Sequence, residues 1–290
     1  MVKNKKGEIM PNGILNINKP SGVSSAAVVG KIKRITGISC GHFGTLDPMA
    51  SGVLPIGIGN ATRLFDYLLQ KEKVYTATFL FGADSDTLDS TGEIVYGGKI
   101  PSESEILSIL PSQIGEIMQE PPLYSAKSIN GVRAYDLARK GVEFTLQKKK
   151  VIINSIKLNG KVSKDEYSFT ISCGGGTYIR SIARDIATSL NTKAIMTSLI
   201  REQSGEFKIE NSVKVEELTR ENFENYLISA QSVLSFPELK FSGIVAKRLA
   251  DGLTQPCLVS DGLYKLWLND NFYGIAEVEN KKIKTRTKLC

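Results

Sequence analysis

The sequence predicts an α+β protein: a mixed, mostly antiparallel central sheet flanked by helices, followed by a small C-terminal β domain. Strand-like runs alternate apolar and polar residues, as in ILNINK at 14–19 and KVYTATFLFG at 73–82. Helix-period runs are scattered among them instead of following each strand, which disfavours a doubly wound parallel sheet. Several strand-like runs are joined by short polar turns, as in hairpins. The 290-residue length exceeds that of a typical single domain, so a large domain with a smaller appendage is expected.

The first twelve residues, MVKNKKGEIMPN, are lysine-rich without the apolar core of a signal peptide, and are expected to be a disordered extension. The strand at 14–19 runs into a Lys19-Pro20-Ser21-Gly22 turn and a helix over about 24–36. A glycine-rich stretch, GHFGTLDPMASG at 41–52, follows. Thr62 is placed to cap a short amphipathic helix, RLFDYLLQ. The strand at 73–82 ends in an acidic loop, DSDTLDSTG. A helix over about 102–110 leads to EPPLYSAKSING, whose paired prolines impose an extended backbone, and AYDLARKG reads as a short helix stopped by Gly141.

Residues 149–173 form two strands around a KVSKDE turn. In GGGTYIRSIARDIATSL, Ile179, Ile182, Ile186 and Leu190 recur at helical spacing as the buried stripe, and Arg180 and Arg184 fall on another face. The strand-like AIMTSLIREQSGEF and two short helical patterns complete a first domain over 13–236. Phe236-Pro237 serves as linker. The tail, 239–290, holds one helix, VAKRLADG, then strands around LYKLWLND and NFYGIAEVE.

Lysine plus arginine outnumber aspartate plus glutamate 37 to 30, and the resulting +7 charge and pI near 9.1 favour a polyanionic partner. No run of 18 apolar residues occurs, so a cytoplasmic protein without a membrane span is expected. Cys40, Cys173, Cys257 and Cys290 lie far apart with one histidine to help, which argues against both a disulfide framework and a zinc site. That histidine, His42, has no G-x-S-x-G elbow to serve, and neither G-x-G-x-x-G nor G-x-x-x-x-G-K-[ST] is complete. DSDTLDSTG departs from a calcium loop at Leu88 and Asp89 and reads as a polar loop.

Asp47 remains, a lone carboxylate between Leu46 and Pro48. Pro48 biases it to an extended backbone, and the flanking glycines let another molecule's backbone come close. On residue chemistry alone, Thr-Leu-Asp-Pro is a turn, because aspartate before proline commonly starts one.

GHFGTLDPMASGVLPIGIGNATR resembles the catalytic-loop signature of the TruB family of tRNA pseudouridine synthases, G-H-x-G-T-L-D-P-x-A-[ST]-G-V-L-P, at every fixed position. LNINKPSGVSS, KVYTATFLFGADSDTLDSTG, PPLYSAKSINGVRAYDLAR and CGGGTYIRSIARDI are similar, in order, to further family segments, and the resemblance covers about 13–205. It implies the pseudouridine synthase fold and isomerisation of uridine to pseudouridine at position 55 in the T loop of tRNA. It also implies that no cofactor or metal is needed, since the uracil is both leaving group and returning nucleophile.

For the residues, the resemblance implies Asp47 as the covalent catalyst, by attack on C1′, addition to C6 or assistance along a glycal path. Arg180 would keep that carboxylate charged. Tyr75 would stack on the extruded uracil and accept the C5 proton. Leu199 would pack under the base, His42 would fill the space the base leaves, and Lys19 would support the loop or contact phosphate. Tyr178, beside Arg180 in the Thr-Tyr-Ile-Arg segment, would contact substrate. A monomer acting on the tRNA T arm without a protein partner is expected.

The chain departs from the family in three places. Ser128 stands where a lysine is usual, with Lys127 before it; Gly174 and Gly175 replace a serine and a lysine; and Leu199-Ile200-Arg201 has one basic residue fewer than L-R-R. These bear on RNA affinity more than on chemistry. The tail resembles the PUA-like domain of bacterial members, and its Lys281, Lys282, Lys284, Arg286 and Lys288 become candidate contacts to an RNA backbone. The rival readings are a synthase of the same fold acting on another RNA, and a tRNA-binding folding chaperone.

Overall fold

A computed structural model of the chain describes residues 2–3, 9–125, 128–129, 132–133, 137, 139, 141–142 and 144–290. Gly13–Lys19 (β1), Ser51–Ile58 (β2), Lys73–Phe81 (β3), Gly115–Gln119 (β4), Lys149–Lys161 (β5), Glu166–Cys173 (β6) and Ala194–Ser204 (β7) form the central sheet. Their spatial order is β1-β2-β7-β3-β6-β5-β4. Among these strands only the β2 to β7 pairing is parallel. Val213–Lys214 adds a parallel edge beside β1, and Cys40–His42 lies antiparallel on β2. The chain is thus an α+β protein with a mixed, mostly antiparallel sheet.

β3 shows why the alternation counts. Its odd positions from Lys73 to Phe81 are buried and its even ones half-exposed, so one face enters the core, where the Phe79 and Phe169 rings lie 4.8 Å apart. Helix α1, Ser25–Thr36, is capped by Ser24, whose hydroxyl accepts from the Ala27 amide, and closes at Gly37 with φ +69°.

A 3₁₀ helix, Gly59–Leu64, precedes a short α2, Phe65–Leu69. Helix α3, Glu103–Ile109, opens on a capping box between Ser102 and Glu105. Helix α4, Ile179–Ser189, buries Ile179, Ile182 and Ile186 as the spacing requires. Arg180 lies off that stripe yet is 6% exposed, because loops from elsewhere in the chain cover the first turn of α4.

Other expectations need correction. Thr62 lies inside the 3₁₀ turn before α2, its hydroxyl donating to Gly59 O, and so does not cap α2. In the extension expected to be disordered, Val2–Lys3 pairs antiparallel with Ile9–Met10. The AYDLARKG helix and Lys127 fall largely or wholly outside the described residues, and Ser128 belongs to a two-residue strand paired with Val132–Arg133.

A second sheet follows: Glu238–Phe241 (β8), Gly262–Leu268 (β9), Asn271–Glu279 (β10) and Lys282–Lys288 (β11), with Gln255–Pro256 at its edge. Helix α5, Gly243–Ala250, covers it, and Ala246, Leu249, Leu266, Leu268 and Ile283 form its own apolar cluster. A further cluster joins the two sheets, with Ile14, Phe43 and Leu64 packed together with Leu234, Ile275 and Leu289. Around it, Asn12 donates to Leu289 O, Arg63 to Lys288 O at 2.8 Å, and Tyr67 shares a hydrogen bond with Thr287.

Candidate active site

Asp47 sits in the turn that leads into β2, and the segment after β1 clasps that turn. The Ser25 hydroxyl accepts from Leu46 N and donates to Leu46 O, both at 2.9 Å. Gly22 N donates to Pro48 O, and the Ser21 hydroxyl donates to Met49 O. Lys19 is fully buried, and its ammonium donates to Pro20 O, Val23 O and Pro48 O at 2.9, 2.6 and 3.2 Å. Three donors meet three carbonyls, so Lys19 supports the loop from inside and has no hydrogen left for a phosphate. Burial pushes its pKa down to about 8, Asp47 opposing and Arg201 adding to the shift.

The Asp47 carboxylate meets Arg180 as a fork: Nε to Oδ2 at 3.0 Å and Nη2 to Oδ1 at 3.1 Å. A third of the Asp47 side chain faces solvent, while that of Arg180 is 7% exposed. Burial raises the Asp47 pKa above the usual carboxylate value, Arg180 pulls it back, and the nearby charge of Asp89 raises it again. Arg180 is fixed in turn, donating to Thr87 O at 2.9 Å and Tyr124 O at 3.1 Å and pairing with Asp89 Oδ2 at 3.3 Å.

Asp89 is therefore more than part of a polar loop. It is 4% exposed and accepts from the Thr87 hydroxyl and the Thr91 amide and hydroxyl. Leu88 before it takes φ +59°, and its backbone is stitched to Met196 of β7. The available signal was the aspartate inside the matched DSDTLDSTG segment. Nothing local pointed it at an arginine 91 residues further on.

Tyr75 on β3 lies directly opposite Arg201 on β7. Burial pushes the Tyr75 phenol up, and the charge and hydrogen bond of Arg201 oppose that. Leu199 sits opposite Ala77 on the same buried face, 6% exposed. The Tyr178 backbone is held on both sides by the Gln119 amide, and burial raises its phenol while Ser125 and Arg180 oppose. The charge of Asp47 reaches both phenols, so Tyr75 and Tyr178 lie near the Asp47–Arg180 pair.

His42 stands apart on its short strand, half-buried, with Arg201 as its charged neighbour. Burial and that guanidinium push its pKa below the ordinary value, which leaves a neutral ring at pH 7. Its Nδ1 is buried without a hydrogen-bond partner among the described residues.

The Gly175 departure has a steric cause. A Cβ there would lie 2.4 Å from Leu69 O and 2.9 Å from Gln70 Cα, so the end of α2 leaves no room for a lysine. The ammonium of Lys149 on β5 reaches the same loop, 3.0 Å from where a Cβ of Gly176 would stand. Among the described residues no group of three or more His, Cys, Asp or Glu could hold a metal ion, and no helix is long and apolar enough to cross a membrane.

Comparison with known proteins gives a consistent picture. The model of a family described as TruB family pseudouridylate synthase, N-terminal domain, matches residues 33–179. The tRNA pseudouridine synthase B of Clostridium kluyveri is 39% identical over 274 residues, 91% of this chain and 94% of that protein. Its counterpart from Clostridium novyi is 38% identical over 288 residues, 96% and 99% of the two chains. Among solved structures, a chain of a Cbf5-Nop10-Gar1 complex has the same fold, with TM-score 0.72 at 24% identity over 96% of this chain and 85% of that one.

Proposed function

Since the chain belongs to the TruB family of pseudouridylate synthases, we propose that it isomerises uridine to pseudouridine at position 55 in the T loop of tRNA. Asp47 is the catalytic carboxylate in this reading. The observation that carries it is the fork between Asp47 and Arg180, in which a buried guanidinium opposes the rise that burial imposes on the carboxyl pKa, at a position open to solvent on one side. A carboxylate paired in this way serves as the nucleophile in its ionised form.

The target base leaves its stack, at a cost of a few kcal/mol. The bond from C1′ to N1 breaks, the uracil turns, and C5 bonds to C1′. C5 then gives up its proton and N1 gains one, so the net change is an isomerisation. Tyr75, in its phenolate form, accepts the C5 proton and lies against the base, with Leu199 on the same face. A neutral His42 takes the place of the flipped base without bringing a charge into the stack. Residues 13–236 act as the catalytic domain, and 239–290 as a PUA-like domain that holds RNA.

The test is incubation with an unmodified tRNA transcript, carbodiimide treatment and primer extension. A stop adjacent to position 55, absent when that uridine is replaced by cytidine, is expected. A stop at another uridine alone would move the reading to another target, and no stop at all would end it.

A further inference from the structure

Arg201 is the largest fully buried side chain among the described residues, 1% exposed, and none of their carboxylates pairs with it. A guanidinium buried without a counter-charge is costly unless each donor meets an acceptor. Its Nε donates to Val53 O at 2.6 Å and Nη2 to Gly44 O at 3.2 Å. Gly44 and Val53 lie on either side of the segment that carries Asp47. Toward β3, Arg201 faces its cross-strand partner Tyr75, and its charge acts on the phenol. Lys19 and Lys73 stand close by and repel it, so neither neutralises it.

We propose that Arg201 is a positioning residue that ties the Tyr75 hydroxyl to both ends of the Asp47 loop. Proton acceptor and nucleophile then keep a fixed separation while the uracil turns between them. The proposal rests on the reading above, in which Asp47 and Tyr75 perform the chemistry. A planar fork suits the task, since it serves two carbonyls and a phenol at once, which an ammonium on a flexible stem does not.

A cation at the phenol oxygen also favours loss of its proton. The groups facing Tyr75 are Arg201 from β7, Cys173 from β6 and Asp47 from its loop. Burial pushes the Cys173 thiol up to about 11, which leaves it neutral and makes Arg201 and Asp47 the opposing charges. Removing Arg201 therefore raises the Tyr75 pKa.

The experiment compares Arg201→Met, Arg201→Lys, Tyr75→Phe and the Tyr75→Phe/Arg201→Met double variant with the unaltered protein. Single-turnover pseudouridine formation in a tRNA transcript is followed across pH, alongside RNA affinity and circular dichroism. Arg201→Met is expected to slow the single turnover about 100-fold with RNA affinity within about threefold, and to move the ascending limb that reports Tyr75 deprotonation to higher pH. In the Tyr75→Phe background it should add less than about threefold, because its effect runs through Tyr75.

Full additivity in that cycle, or an Arg201→Met rate within threefold of the unaltered protein, overturns the proposal. If Arg201→Met does not fold, Arg201→Lys keeps the charge without the fork, and a loss below threefold there overturns it equally. An active Asp47→Asn protein sinks the underlying reading, whereas inactive Asp47→Asn beside fully active Arg201→Met sinks only the role of Arg201.

Discussion

Lys19, Arg180 and Arg201 are buried around the Asp47 loop, each cation engaged by carbonyls or carboxylates. Lys282, Lys284, Arg286 and Lys288 point outward at every second position of β11, while Ile283 between them enters the core. Both regions are basic, but they use charge differently. Around the Asp47 loop, low polarity around fixed partners sharpens every charge, tuning pKa values and geometry. On β11 water screens the cations, which suits them to contact an RNA backbone without affecting the chemistry.

Substitutions should separate the two regions, and the largest effect belongs to Asp47. Asp47→Asn should reduce single-turnover rate by at least about 10³-fold while RNA affinity stays within about tenfold, since the amide keeps the shape and loses the nucleophile. Turnover near normal would place the chemistry elsewhere. Arg180→Met should slow the reaction by about 100-fold or more. It should also destabilise the fold by about 3–5 kcal/mol in urea, because the buried Asp89 loses its guanidinium.

Asp89→Asn sharpens the account with a sign. Asp89 raises the Asp47 pKa, so its removal lowers that pKa and moves the acid limb of the rate profile to lower pH. At pH 7 the rate should still fall about tenfold, because Arg180 loses an anchor. An acid limb that stays put or moves upward would contradict the charge coupling. The smallest effects are expected on β11. Lys282→Ala and Lys284→Ala should leave the saturated single-turnover rate unchanged and weaken RNA binding a few-fold. Each lysine removed should lower the salt slope of binding by about one. A slower rate at saturating RNA would merge the two regions into one.

Much of the frame was legible because local pattern and tertiary role agree. Lys73–Phe81 alternates in sequence and in burial, and Ser24 with Gly37 bounds α1 by ordinary capping chemistry. Asp47 and Arg180 were legible only through the matched segments, since aspartate before proline commonly marks a turn. Thr62 failed because a helix-period pattern does not distinguish a 3₁₀ turn from the α-helix that follows. Asp89 and Arg201 owe their roles to strand register and to loops brought together from distant parts of the chain. No spacing within a short segment encodes that.

The hydrogen bonds from Asn12, Arg63 and Tyr67 to residues 287–289 join the second sheet to the side of the first. The molecule then behaves as a caliper with locked jaws: the span between exposed β11 and the Asp47 turn is set before any substrate arrives. A ligand that touched both β11 and the Asp47 turn would have to match that span.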